Sequence, residues 1–346
     1  MTIYVGVARR TGGTVSGVFR QKTGDSAWEM LGGGLPAGIH AQAITVHLTN
    51  PNIVYVGAGD GLYRSNDAGN HWARLNTPAD LQIWSVLVHP TNHRTLFAGT
   101  SPVGVLRSDD AGETWRKLPN AKQPDRVKMA FPCRVMRLSI DPAFPDHIYA
   151  ALEVGGAMRS LDGGETWNDC AAELVNLAER NPHLRSRLQS DTENEGMLDA
   201  HALCVSAAKP DTVFLAVRMG VFKSTDAGAT WHDVRVGRFS PLTYARDIRV
   251  SPHDPKTLFA CLSPAAASQD GSLYRSRDFG ETWQRLDRGV KARATMMAVA
   301  QDPRDAKSIS CASRCGQVFS TADDGATWNE TLLPDGVHDV YAIARA

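Results

Sequence analysis

Charge of one sign is missing from this 346-residue chain: lysine plus arginine and aspartate plus glutamate number 37 each. A polyanionic ligand calls for a basic stripe and a polybasic anchor for a cluster. Neither nucleic acid nor a membrane surface is therefore expected as a partner. No apolar run approaches the roughly 18 residues of a membrane span. The first ten residues, MTIYVGVARR, lack a basic region followed by an apolar one, so no leader is expected. Cysteine is sparse and irregular, at Cys133, Cys170, Cys204, Cys261, Cys311 and Cys315. That spacing suits neither a disulfide framework nor a zinc site, and the expectation is reduced thiols in a cytoplasmic protein. Aromatic residues are only 7% of the chain, which makes the regular placement of tryptophan informative.

Seven of the eight tryptophans recur in one setting. Six segments fit S/T-x-D-x-G-x-x-W: Ser65–Trp72, Ser108–Trp115, Ser160–Trp167, Ser224–Trp231, Ser276–Trp283 and Thr321–Trp328. A seventh, Gln21–Trp28, keeps the tryptophan but has Thr23 where the others carry aspartate. In each of the six an aspartate can accept hydrogen bonds from backbone N–H groups inside the turn. The glycine supplies a positive φ, and the tryptophan packs its ring on the turn. The motif is a structural device. Between successive motifs lie two further strands joined at a proline-containing turn, as at His89-Pro90, Asp141-Pro142, Ser251-Pro252 and Asp302-Pro303. Each repeat is thus four short strands, A to D, over about 45 residues, the period of a propeller blade. The N-terminus lacks an A strand, and His338–Ala344 at the other end is an A strand with nothing after it. The expectation is an all-β, seven-bladed β-propeller, one domain over residues 1–346, closed by its C-terminal strand so that no sheet edge stays open.

These motifs resemble the BNR/Asp-box repeat superfamily, which includes sialidases, xyloglucanases, sortilin-type receptors and photosystem II assembly-factor-like proteins. The resemblance covers nearly the whole chain. It implies the fold, but it spans enzymes, receptors and assembly factors alike.

The tryptophan spacings are 44, 43, 52, 64, 52 and 45 residues. The extra length falls at Pro119–Pro132, Cys170–Leu198 and Ser263–Ser272, in D–A and B–C connections that emerge on one face. Long loops on a rigid scaffold are where sites are sought. Ala171–Arg180 and Pro182–Gln189 have helical composition and are expected to form a small lid over the channel mouth. The starts of the A strands bring polar residues toward the same mouth, and three readings follow. In the first, a hydrolase acts on a small anionic or glycoside-like substrate, with Glu195, Asp199 and Tyr244 as the acid–base or nucleophilic groups. The resemblance to sialidases implies Arg134, Arg246 and Arg293 as a clamp on the substrate anion, and Trp84 lies beside them. In the second, His40, His201 and His338 hold a divalent metal. In the third, the mouth is a solvated polar channel on a non-catalytic module that holds another protein.

Overall fold

A computed structural model describes residues 1–346. The repeats fold into seven four-stranded antiparallel sheets. Strands A, B and C are buried at most positions because both faces of each sheet are covered by neighbouring blades. The D strands of six blades are short and mostly exposed. Seven hydrophobic clusters of 10 to 22 buried residues fill the seven interfaces between adjacent blades. Each A strand touches those of both neighbours, and the series returns to its start.

The closing strand, Asp339–Arg345, pairs antiparallel with Thr2–Ala8 and becomes the A strand of blade 1. Thr2 and Ala346 exchange both backbone hydrogen bonds at 2.9 Å. Behind this seam the buried Arg345 donates to Ser310 Oγ of blade 7 at 2.7 Å.

The repeated turn has the expected chemistry. In the second blade Ser65 donates to Asp67 Oδ1 at 2.9 Å and accepts from the Gly69 N–H at 2.8 Å. Asp67 Oδ1 accepts from the His71 N–H at 2.8 Å, and Gly69 has φ 91°. The long cation one residue before the motif carries a further role. Arg64, Arg107, Arg159 and Lys223 each donate to a backbone carbonyl of the next blade's turn, namely Ala111, Gly163, Ala227 and Phe279. The turns therefore fasten blade to blade as well as strand to strand.

The insertion departs from expectation. Ala172–Arg180 is a helix, but Pro182–Leu184 is only a 3₁₀ turn, and Glu195–Leu198 forms a short extra helix. The N–H groups of Leu188, Gln189 and Ser190 all turn to one oxygen of the Glu195 carboxylate, so they are withdrawn from any helix ladder. The insertion is also not a lid. Leu174, Ala178, Leu184, Met197 and Leu198 pack into the interface of blades 4 and 5, making it the largest of the seven clusters.

Candidate functional site

Every A strand carries a β-bulge near its start, where one extra residue interrupts the register with strand B. Going round the ring, the extra residues are Tyr341, Gln42, Trp84 and Met136, followed by His201, Arg246 and Met297. A bulge re-aims its side chain, and all seven line one cavity of about 30 Å³ on the axis. That is room for about one or two waters. The bulges thus build a collar that plugs the channel and forms the floor of the mouth.

Above the collar lies a network of charged groups. Asp199 takes the Arg218 guanidinium at 2.8 Å and lies 3.4 Å from His201 Nε2. The other ring nitrogen, His201 Nδ1, is 2.7 Å from the Ala245 carbonyl and must therefore carry the proton. Nε2 is then free to accept from the Tyr244 hydroxyl at 3.2 Å. Burial pushes the His201 pKa down and the Tyr244 pKa up, so the pair is neutral at pH 7. Burial works against the Asp199 carboxylate too, but the cations beside it, Arg218 and Arg246, favour its charged form, and its pKa lies well below the usual carboxylate range. In the adjacent blade Glu153 pairs closely with Arg134. Here burial prevails over Arg134, and with Asp199 nearby it pushes the Glu153 pKa up to about 7. The two carboxylates are thereby set apart in protonation.

Trp84 anchors the cationic side. The guanidiniums of Arg134 and Arg10 lie 4.2 and 4.5 Å from its ring centre, and Tyr341 meets it edge-on at 5.5 Å. Asp339 positions Arg10 by accepting from its backbone N–H at 2.7 Å, and it also binds the Thr11 N–H and hydroxyl.

Six of the residues singled out by sequence meet here: Trp84, Arg134, Asp199, His201, Tyr244 and Arg246. Four do not. The Glu195 carboxylate is buried and consumed by the Leu188–Ser190 turn, including the Ser190 hydroxyl at 2.7 Å, so its task is to fold the insertion. Arg293 is exposed and pairs with Glu330 of an outer strand at 3.3 Å, outside any clamp. His338 points to solvent, and His40 is half-buried, its pKa lowered by burial and then by Arg9 and Arg10. His40, His201 and His338 are not brought together as a metal site. Three ligand atoms within 4.8 Å of one another occur only at Asp141, His147 and Asp211. There both Asp141 oxygens already accept from backbone N–H groups, those of Ala143 and Asp211, and tie blade 4 to blade 5. Sequence reading missed Glu153, Arg10, Arg218 and Tyr341, whereas it places Gln42 at the mouth as the start of an A strand. Three of these sit in B–C connections, which face the mouth as the A-strand starts do. Tyr341 was hidden because alternation alone does not reveal a bulge.

Comparison with known proteins agrees with this architecture. Residues 60–195 match the family model described as sortilin, neurotensin receptor 3, and residues 274–285 match the BNR/Asp-box repeat. Xyloglucanase Xgh74A of Acetivibrio thermocellus is 25% identical over 230 residues, 58% of this chain and 25% of that protein. A xyloglucanase of Hypocrea jecorina is 24% identical over 338 residues, 86% of this chain and 39% of that protein. The chain therefore spans only between a quarter and two fifths of the length of these curated relatives. Among solved structures, the GH74 xyloglucanase from Xanthomonas campestris superposes with a TM-score of 0.65 at 18% identity, over 92% of this chain and 53% of that one. YCF48 bound to D1 peptide superposes with a TM-score of 0.57 at 13% identity, over 86% and 82%.

Proposed function

The chain is a β-propeller of the BNR/Asp-box repeat superfamily, and from that premise we propose that its axial mouth binds a carbohydrate and hydrolyses a glycosidic bond. The observation that carries the reading is the pair Glu153 and Asp199, two carboxyl groups in one mouth with protonation states driven apart by their surroundings. Such a pair divides into a proton donor and a permanently ionised partner. Glu153 is the donor: with a pKa near 7 it still holds its proton in a large share of molecules at neutral pH and can deliver it to a departing sugar oxygen. Asp199 stays charged, held by Arg218, and opposes the positive charge that grows at the anomeric carbon. Tyr341, part-exposed in the mouth, offers apolar ring surface to a sugar face. The xyloglucanase relatives support glycoside chemistry for the reading as a whole.

The test is a reducing-end assay of the purified chain on a panel of oligosaccharides that includes xyloglucan fragments. Glu153→Gln should lower kcat by about 10²–10⁴-fold. Wild-type activity should fall as pH rises through about 7, where Glu153 loses its proton. A wild type that cleaves nothing, or a Glu153→Gln variant with full turnover, refutes the assignment.

A second reading is favoured by one observation. YCF48, solved with a peptide bound, matches this chain over most of the length of both. In that case the mouth is a non-catalytic seat for another protein. A single stoichiometric protein partner with no glycan turnover would select it.

A further inference from the structure

The insertion that fills the interface of blades 4 and 5 leaves a recess along its edge. There it faces residues 234–243, the connection from strand D of blade 5 to strand A of blade 6. The recess measures about 550 Å³ and shares no lining residue with the collar cavity. Small-molecule sites run to roughly 300–1,000 Å³, so its size is that of a ligand pocket. Leu184 and Val236 are buried in its floor. Its rim carries His183, His232, Arg235 and Arg238, and none of these four side chains is engaged in a hydrogen bond or an ion pair. Asp233 is the one acid among the lining residues, and its Oδ1 already accepts the Arg235 backbone N–H at 2.7 Å. Glu173, near His232, is taken by Arg180 and by Asn176 at 2.9 Å. A cleft with apolar walls and charge of one sign focuses its field and draws ligands of the other sign.

The backbone adds a second observation. Arg235 sits at φ 56° and ψ 48°, in the left-handed region, and opens the 3₁₀ turn Val236–Arg238. Glycine or asparagine enters that region readily, and a long side chain does so at a cost. In 3₁₀ geometry residues three apart stand one above the other. The strained turn therefore sets the Arg235 and Arg238 guanidiniums on one rim, where they repel each other unless an anion lies between them.

We infer that this recess is a separate binding site for a phosphomonoester of a small apolar molecule, its phosphate on Arg235 and Arg238 and its body on Leu184 and Val236. A phosphomonoester carries about −1.5 to −2 at pH 7 and three strong acceptor oxygens. Guanidiniums match such oxygens with parallel N–H pairs, and the ring N–H groups of His183 and His232 face the same space. Inorganic phosphate lacks the apolar body and a neutral aromatic lacks the charge, so each forfeits half of the contacts. The site does not depend on the glycoside reading of the mouth.

The experiment is calorimetric titration of the full chain with phenyl phosphate, against phenol and inorganic phosphate at equal ionic strength. Phenyl phosphate should bind more tightly than either fragment. Arg235→Asn accepts the left-handed backbone and removes one guanidinium, so it should fold normally and weaken binding by about 10–100-fold. A Cβ at Gly237, which also lines the recess, would meet only Thr243 Cγ2, at 3.5 Å. Gly237→Leu should therefore fill the space and abolish binding while the unfolding midpoint stays unchanged. Arg246→Gln, at the mouth, should bind as the wild type does. No binding of phenyl phosphate at millimolar concentration, equal affinity for either fragment, or full affinity in both Arg235→Asn and Gly237→Leu would overturn the site. So would loss of binding in Arg246→Gln alone, which would put the anion at the mouth instead.

Discussion

At the residue scale the clearest case is Trp231. It is 2% exposed, and its Nε1–H reaches out of its own turn to the Cys170 carbonyl at 2.8 Å. The corresponding tryptophans 72, 115, 167 and 283 donate to the glycine carbonyl of their own turn. Trp231 therefore holds both its hairpin and the root of the insertion. Trp231→Ala should destabilise the protein by about 3–5 kcal/mol, the usual cost of deleting a buried aromatic side chain. Trp231→Phe keeps most of the apolar contact and strands one carbonyl, so it should cost about 1–3 kcal/mol. Urea unfolding of the two variants separates packing from hydrogen bonding. Equal losses would mean that the indole N–H is the dominant contribution.

At the element scale the A strands set both function and closure. Their bulges turn an ordinary inner strand into a carrier of one axial side chain, and seven bulges at one level make the collar. The closing strand is where the ring depends on a single element. Asp339–Arg345 pairs along Thr2–Ala8, supplies Tyr341 to the collar, and sends Arg345 into blade 7. Removal of His338–Ala346 leaves Thr2–Ala8 as an open edge and uncovers the apolar contacts of Val340 and Ile343 with blades 1 and 7. The truncated chain should lose its sharp urea transition and self-associate, visible as early elution on size exclusion. A truncated monomer with an unchanged transition would show that closure contributes little.

At the scale of the whole molecule the repeated turns act in concert on pH stability. The carboxylates of Asp110, Asp162 and Asp323 each accept the backbone N–H and the hydroxyl of a threonine, and these bonds lower their pKa values to about 2. A carboxyl whose pKa is lower folded than unfolded binds its proton more tightly in the unfolded chain. Its contribution is complete above the ordinary value near 4 and is lost as pH falls toward 2. Because such turns recur in six of the seven blades, acid should weaken those blades together. The unfolding midpoint, followed from pH 5 to pH 2, should drop steeply below about 4 in a single transition. Replacing the three aspartates by asparagine should flatten that acid limb, and an unaltered limb would assign acid sensitivity to other groups.

The sequence by itself determined what is local and repeated. An aspartate, a glycine and a tryptophan at set spacings close a hairpin through bonds within eight residues, so six copies and a seventh that keeps only the tryptophan declare seven blades, and the unmatched terminal strands declare the seam. Arg134, Asp199, Tyr244 and Arg246 were legible for a related reason: strand starts on a ring converge. Only the tertiary structure decided which of those groups are already spoken for. Glu195 is consumed by its own loop and Arg293 by an outer strand, while Glu153 and Gln42 are made singular by burial alone. Strand alternation encodes which residues form a sheet. Burial and pairing across blades, which set a pKa, arise only when segments separated in the chain share one axis.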